Sequence, residues 1–373
     1  MADDGRRPLR DLLAKVAPGS PLREGLERVL LARMGALVVL GDRPEVLGIC
    51  TGGFHLDAEL TPQRLSELAK MDGAIVLDAN ATRIAWANVH LVPDPDVPTS
   101  ETGTRHRTAE RVARSVGVPV VAVSQEMGTI TIYRDELRHL LRPTESLIAR
   151  ATYLLGTLER FRQRFDEADA SLTASEIGDV VTAGDVAYLL QRSEMVRRVG
   201  NEVENLLDEL GEHGRLLRLQ LEELSAGVAE EQRLVLADYL EDPGAMALAA
   251  AGAAAQGATV PATGVERALG RLGTLDTDEL LGLERFVAAL GGGRSPTLDT
   301  ELEPRGTRLL RRLPELKPET ISRLLEHFSG LHDILRATPG ELASVTGLAE
   351  DQARLVKDGL AHLAESTILD RYQ

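Results

Sequence analysis

Apolar positions in the first 142 residues switch repeatedly between a helical and an extended period. Residues 9–17 are amphipathic at helical spacing and stop at Pro18-Gly19, and a second helix is expected from Pro21 through Leu30 to Met34. Ala36-Leu37-Val38-Val39-Leu40 is then an unbroken apolar run closed by Gly41-Asp42, the pattern of a strand covered on both faces. Residues 46–50 read as its neighbour, followed by a Gly52-Gly53 turn. Thr61-Pro62 supplies an N-cap and a first-turn proline for a helix through Leu65, Leu68 and Ala69. Residues 74–77 read as another buried strand, and Asp78-Ala79-Asn80 turns the chain into an antiparallel partner over 83–92. Beyond a proline-rich loop at 93–102, a helix over 105–115 closes at Gly117. Strands follow over 119–124 and 129–133, around a turn at 125–128. Residues 1–142 are therefore expected to form an α/β domain, a mixed sheet flanked by helices.

The strand pattern ends at Pro143. Leu147, Leu154, Leu155, Leu158 and Phe161, then Val186, Leu189, Val196, Val199, Val203 and Leu206, recur at helical spacing among many charges, so 143–293 reads as an all-α spacer with a packed bundle. Within it, residues 245–258 are rich in Ala and Gly, either a close-packed helix or a mobile joint, and Gly291-Gly292-Gly293 marks a boundary. Residues 294–373 read as an all-α domain of four or five short helices in which one plan recurs. Residues 309–313 and 319–328 flank the turn at 314–318, and residues 340–344 and 350–363 flank the turn at 345–348. This suggests two helix-hairpin-helix units.

Composition narrows the function. The chain has 373 residues, enough for two or three domains, and a formal net charge of −16, so attraction to a polyanion must be local. Residues 304–357 carry nine Lys and Arg against seven Asp and Glu, a modest local reversal. The single cysteine, Cys50, rules out an internal disulfide and reads as a small core residue. The charged first ten residues lack the apolar core of a signal peptide and no run of apolar residues is long enough to span a bilayer. A cytoplasmic protein with no membrane partner is expected.

Two stretches carry the candidate chemistry. Met71-Asp72-Gly73 puts an acid at the mouth of an apolar strand, and Gly103-Thr104-Arg105-His106-Arg107-Thr108 puts hydroxyls and cations at a helix start. Unpaired N–H groups and the positive end of the peptide dipoles suit phosphate there, and arginines add planar charge-assisted hydrogen bonds. Arg-His-Arg could equally be a solvated helix face paired with Glu101 and Glu110, and Asp72 an ordinary turn residue. Trp86 and His90 alternate along a strand and read as packing. No Walker-type glycine loop ending in Lys-Ser/Thr is present, which disfavours a P-loop kinase.

The segments Lys70 to Leu77, Ala87-Asn88-Val89-His90-Leu91 and Glu101 to Arg111 together resemble the diadenylate cyclase family. The order of spacer and helix-hairpin-helix module matches its DNA-integrity-scanning type. The resemblance implies a metal-dependent condensation of two ATP into cyclic di-AMP with release of two pyrophosphates. Each 3′-hydroxyl attacks the other nucleotide's α-phosphate, so two cyclase domains must pair face to face, in this type within a homo-octamer. It further implies that Asp72 contacts the attacking hydroxyl or the Mg²⁺ or Mn²⁺ ion, and that Arg105, His106 and Arg107 serve the triphosphate. Gly73 and Leu91 would touch adenine through the backbone, Thr104, Thr108 and Ser124 would help hold phosphate, and Ala74 and Gly103 would also line the nucleotide. Glu126 is either a second metal ligand, as in other branches, or an exposed turn residue.

DNA at the carboxyl-terminal module would modulate output, through Lys317, Thr346, Gly347, Ala349, Arg354 and Lys357. The hairpins depart from the hydrophobic-Gly-hydrophobic-Gly pattern. Ala349 replaces the second glycine, Glu350 and Asp351 follow it, and the first hairpin has no glycine. The competing expectation is a DNA-binding scaffold that senses ATP or cyclic di-AMP without turnover.

Overall fold

The computed structural model describes residues 7–239, 264–290, 297–314, 316–347 and 349–370. The Ala/Gly-rich stretch at 245–258 and the glycine boundary at 291–293 lie outside the described residues. By packing, the chain divides into two compact units: Met1–Leu154 with Val203–Gln220, and Leu155–Glu202 with Leu221–Gln373.

The first unit is built on an eight-stranded mixed sheet. Its elements are α1 (Arg7–Lys15), α2 (Pro21–Leu31), β1 (Ala36–Leu40), α3 (Pro44–Gly48), β2 (Cys50–Thr51), β3 (Phe54–Glu59), α4 (Pro62–Leu68), β4 (Ala74–Leu77), β5 (Arg83–Leu91), α5 (Thr104–Val116), β6 (Val120–Ser124), β7 (Thr129–Arg134) and β8 (Leu137–Leu141). The strand order is β2-β5-β4-β1-β6-β7-β8, with β3 also on β5. Among the described strands only β1 and β4 run parallel; the other pairs are antiparallel. Alternate side chains of the central strands feed two cores. Val38, Ile75, Val121 and Ile132 pack with Leu26 of α2 and Leu65 of α4, whereas Val39, Val76, Val120 and Tyr133 pack with Ala109 and Val112 of α5. The sheet is thus flanked by helices on both faces, as its apolar runs require.

One expected element is wrong in kind. Residues 46–50 are not a strand: Pro44 opens α3 at its first turn, with Arg43 extended before it, and only Cys50–Thr51 pairs with β5. Two short strands go beyond the expected set. β3 alternates Phe54, Leu56 and Ala58 with polar residues but is exposed along almost its whole length, and β8 carries Arg138 and His139 between its leucines.

α6 (Thr144–Gly178) and α7 (Ala183–Leu210) continue the chain, followed by α8 (Arg215–Ser225), α9 (Val228–Tyr239), α10 (Gly264–Thr274), α11 (Thr277–Leu281) and α12 (Leu283–Leu290). The last described elements are α13 (Thr307–Arg311), α14 (Pro318–His327), α15 (Leu331–Arg336), α16 (Pro339–Thr346) and α17 (Glu350–Asp370). Leu310, Leu313, Ile321, Leu324, Leu342 and Val356 form one core among α13–α17. No described helix is long and apolar enough to cross a membrane.

Candidate active site

The sheet topology gathers the two motif stretches. β1 and β4 run in the same direction, with Val38 opposite Ile75, while β6 and β5 return against them, with Val123 opposite Ala36 and Val89 opposite Ala74. The beginnings of β1 and β4 and the ends of β5 and β6 therefore share one end of the sheet. Gly35, Asp72, Gly73, Leu91 and Ser124 all fall there. The start of α5 meets them: Arg105 donates from Nη2 to Asp72 Oδ1 at 2.8 Å. The Asp72 side chain is 94% exposed.

Gly103 is the N-cap of α5 and gives no side-chain cap, so the first N–H groups of the helix have no capping side chain. The loop that delivers Gly103 is tied to α5 itself. Glu110 accepts from the Thr99 hydroxyl and the Ser100 N–H, Arg111 Nε donates to Val97 O at 3.0 Å, and Arg114 Nη1 donates to Pro98 O at 2.6 Å. Glu110 and Arg111 of the motif are thus braces. Thr108 donates its hydroxyl to Thr104 O at 3.0 Å, and Thr104 is exposed at the first turn.

The Arg-His-Arg run divides its labour. Arg107 is exposed and Arg105 half-exposed, but His106 is only 7% exposed and faces the interior. Its ring meets Tyr133 edge to face, with centroids 6.2 Å apart. Burial drives the His106 ring below its ordinary value, Glu101 opposing and Arg138 and Arg105 reinforcing the shift. His106 is therefore a neutral interior ring rather than a third solvent-facing cation.

Close approach explains two glycines. A Cβ on Gly73 would stand 2.5 Å from Asn88 Cα, where β5 bulges and Asn88 takes φ +55°. A Cβ on Gly35 would stand 2.6 Å from Arg105 Nη1, so the guanidinium lies against this bare backbone. Gly35 is a site residue with no motif signal. Ala74 is buried in β4 and Leu91 in β5. Ser124 Oγ accepts from Met127 N at 3.1 Å and so shapes the turn that exposes Glu126. Among the described residues no group of three or more His, Cys, Asp or Glu could hold a metal ion. Trp86 is half-buried beside His55, but His90 is exposed, contrary to its packing role, because it points to the opposite face of β5 from the buried Val89 and Leu91. Cys50 is half-buried, and burial raises its thiol.

The terminal helices are less open to phosphate than their charge suggests. Arg308 is fully buried among Asp169, Glu176 and Glu231, and Arg312 pairs with Asp169 at 2.7 Å and Glu231 at 3.1 Å. These two cations cancel the local excess. Lys357 donates to the carbonyls of Leu335 and Ala337, and Thr346 is buried with its hydroxyl on Leu342 O at 2.6 Å. Gly347, at φ +70°, is exposed together with Lys317, Ala349 and Arg354, the last paired with Glu350 at 3.2 Å. Arg323 donates to Thr346 O at 2.8 Å and ties α14 to this hairpin.

Residues 23–137 match the family described as DisA bacterial checkpoint controller nucleotide-binding, and residues 141–298 match the DisA bacterial checkpoint controller linker region. The DNA integrity scanning protein DisA of Acidothermus cellulolyticus is 48% identical over 364 residues, covering 98% of this chain and 95% of that protein. The protein of the same name from Streptomyces coelicolor is 48% identical over 365 residues, covering 98% and 94%. Among solved structures, DacA from Staphylococcus aureus aligns over 37% of this chain and 88% of that one at 21% identity and a TM-score of 0.26, too distant to carry argument. Nearly full-length identity to these relatives, on top of a matching nucleotide-binding region, places the chain in the DisA family of diadenylate cyclases.

Proposed function

We propose that the protein is a cytoplasmic, metal-dependent enzyme that joins two ATP molecules into cyclic di-AMP across paired subunits. Two phosphodiester bonds form and two α–β anhydride bonds break. Two pyrophosphates leave and each 3′-hydroxyl gives up a proton. The observation that carries the reading is the Arg105–Asp72 ion pair at the uncapped start of α5, an acid and phosphate-binding groups at one end of the sheet.

Phosphoryl transfer depends on alignment and charge neutralisation. The N–H groups of the first turn of α5, with Arg105 and Arg107, bind the triphosphate, and Thr104 lies beside them. Gly73, Ala74 and Leu91 offer backbone and apolar surface to adenine. Ser124 orders the turn that closes the site, and Thr108 stiffens the first turn of the helix. Asp72 receives the attacking hydroxyl once Arg105 turns to phosphate.

Mg²⁺ is commonly held by one or two carboxylates plus substrate phosphates. A lone exposed Asp72 fits an ion that arrives with the nucleotide, with Glu126 as the second candidate. Such an ion, Mg²⁺ or Mn²⁺, would neutralise phosphate charge and acidify the hydroxyl.

One half-site holds one nucleotide, so chemistry requires a second copy facing it, in a homo-octamer. DNA binding at the tandem helix-hairpin-helix module modulates output, supported by the exposed Gly347 hairpin with Lys317, Ala349 and Arg354. Purified full-length protein with ATP and Mn²⁺ is expected to yield cyclic di-AMP. A folded, assembled protein that yields none contradicts the reading. Salt-sensitive binding to branched or linear duplexes tests the DNA role, and its absence in both contradicts it.

A further inference from the structure

Glu101 lies on the loop that delivers the chain into α5. Tyr133 donates its hydroxyl to Glu101 Oε1 at 2.7 Å, and Arg138 Nε donates to the same oxygen at 2.7 Å. Tyr133 belongs to β7 and is 1% exposed; Arg138 belongs to β8, the strand paired with it. Two strands outside the motif thus converge on one carboxylate beside the helix start. The ring of Tyr133, fixed at its hydroxyl end, meets the buried His106 ring edge to face. His106 Nε2 has no hydrogen-bond partner among the described residues, so packing rather than hydrogen bonding at that atom sets the ring's position.

We propose that Glu101, Tyr133 and Arg138 are positioning residues for the nucleotide half-site. They lock the His106 ring beneath the first turn of α5, so that Arg105, Arg107 and the uncapped N–H groups keep a fixed geometry toward the triphosphate. This rests on the half-site reading above and adds to it three residues that never touch nucleotide. The charged and titratable groups facing the ring are Glu101 from the loop, Arg105 from α5, Tyr133 from β7 and Arg138 from β8. Burial works against charge on Glu101, but the hydrogen bonds from Tyr133 and Arg138 outweigh it and hold the carboxyl below its ordinary value. The anion therefore persists at neutral pH. Displacement of a positioned group by a fraction of an ångström costs turnover more than binding, because alignment matters most in the transition state.

The test uses full-length protein carrying Tyr133→Phe, Arg138→Gln, Arg138→Lys or Glu101→Gln. Turnover is read as cyclic di-AMP formed against ATP concentration. Protonation of the His106 ring is read without turnover, by NMR of ring-labelled histidine assigned through His106→Asn. Tyr133→Phe and Arg138→Gln should lower kcat on the order of tenfold to a hundredfold, with KM changed by less than about threefold, and Arg138→Lys should restore most of the loss. Arg138→Gln removes a cation near the ring and should raise its titration midpoint; Glu101→Gln removes an anion and should lower it. Unchanged kcat in both Tyr133→Phe and Arg138→Gln overturns the proposal, as do ring midpoints that move in the same direction or not at all. Arg138 is half-exposed, so its variants test the device even where Tyr133→Phe fails to fold. A folded wild-type protein that makes no product sinks the half-site reading instead, and the ring titration then decides the positioning device alone.

Discussion

Asp72 and Arg105, 33 residues apart in the chain, meet as an ion pair of 2.8 Å at the end of the sheet where β4 begins and α5 starts. The pair is open to solvent, so it contributes little to stability, about 0–1 kcal/mol. On the proposed reading its residues act on a ligand instead. Asp72→Asn should abolish product formation by at least about a hundredfold while moving the unfolding free energy by less than about 0.5 kcal/mol. Parallel assays of turnover and of urea unfolding check both halves; a large loss of stability would make Asp72 structural.

Gly73→Ala tests the close packing of Gly73 against β5, beside the proposed adenine contact. The new methyl group would meet the Asn88 backbone at 2.5 Å, and backbone at a sheet bulge gives way less readily than a side-chain tip. Destabilisation of about 1–3 kcal/mol is expected, with weaker ATP binding. Calorimetric melting and nucleotide titration measure the two effects, and a neutral result would show that the bulge is free to move.

How far the site could be read from sequence follows from distance along the chain. Asp72, Gly73 and the Arg105 to Arg107 run stand out because a strand mouth and a helix start are local signals. Gly35, Tyr133 and Arg138 do not, because each acts through a partner 30 or more residues away that only the sheet brings near. His106 shows the limit of a motif, since one residue of rotation on a helix separates a solvent-facing cation from an interior ring. In the fold, buried strands such as β1 announced themselves as unbroken apolar runs, whereas β3 alternates apolar and polar residues over only six positions and stays exposed, and the five-residue α3 is too short to show a period. In the terminal helices charge counting overstated the basicity, because Arg308 and Arg312 pair with buried acids.

That buried cluster makes its own prediction. Asp169, Glu176, Glu231 and Asp238 surround Arg308 and Arg312, an excess of acid over base. Burial pushes Glu176 up to about 7, against the pull of Arg308 and the Tyr239 hydroxyl, so the cluster is poised to hold a proton near neutral pH. Arg308→Met should cost about 3–5 kcal/mol at pH 8, by leaving buried carboxylates uncompensated. The loss should shrink at pH 5, where Glu176 takes up a proton. Chemical unfolding at the two pH values checks this, and an equal loss at both would remove the acids from the explanation.

Glu209, buried near the end of α7, gives the opposite pH signature. Burial disfavours its charge, but the His139 ring and the N–H and guanidinium of Arg142 hold the carboxyl down to about 2, from 4.5. A lowered folded-state value stabilises the fold above about pH 4.5 and is lost as pH falls toward 2. The contribution is about 3 kcal/mol. Glu209→Gln should therefore unfold more easily than wild type at pH 7 and approach it near pH 2; parallel stability curves across that range would rule out the linkage.

The central claim is that each chain supplies half of a symmetric reaction. It is tested most directly by quantifying ATP, pyrophosphate and cyclic di-AMP in one reaction across a dilution series of the purified protein. Two pyrophosphates per cyclic di-AMP, with activity per chain falling as dilution separates the paired half-sites, is the predicted result. Product formation at constant activity per chain in samples shown to be monomeric, or consumption of ATP to ADP and phosphate without cyclic di-AMP, would contradict it.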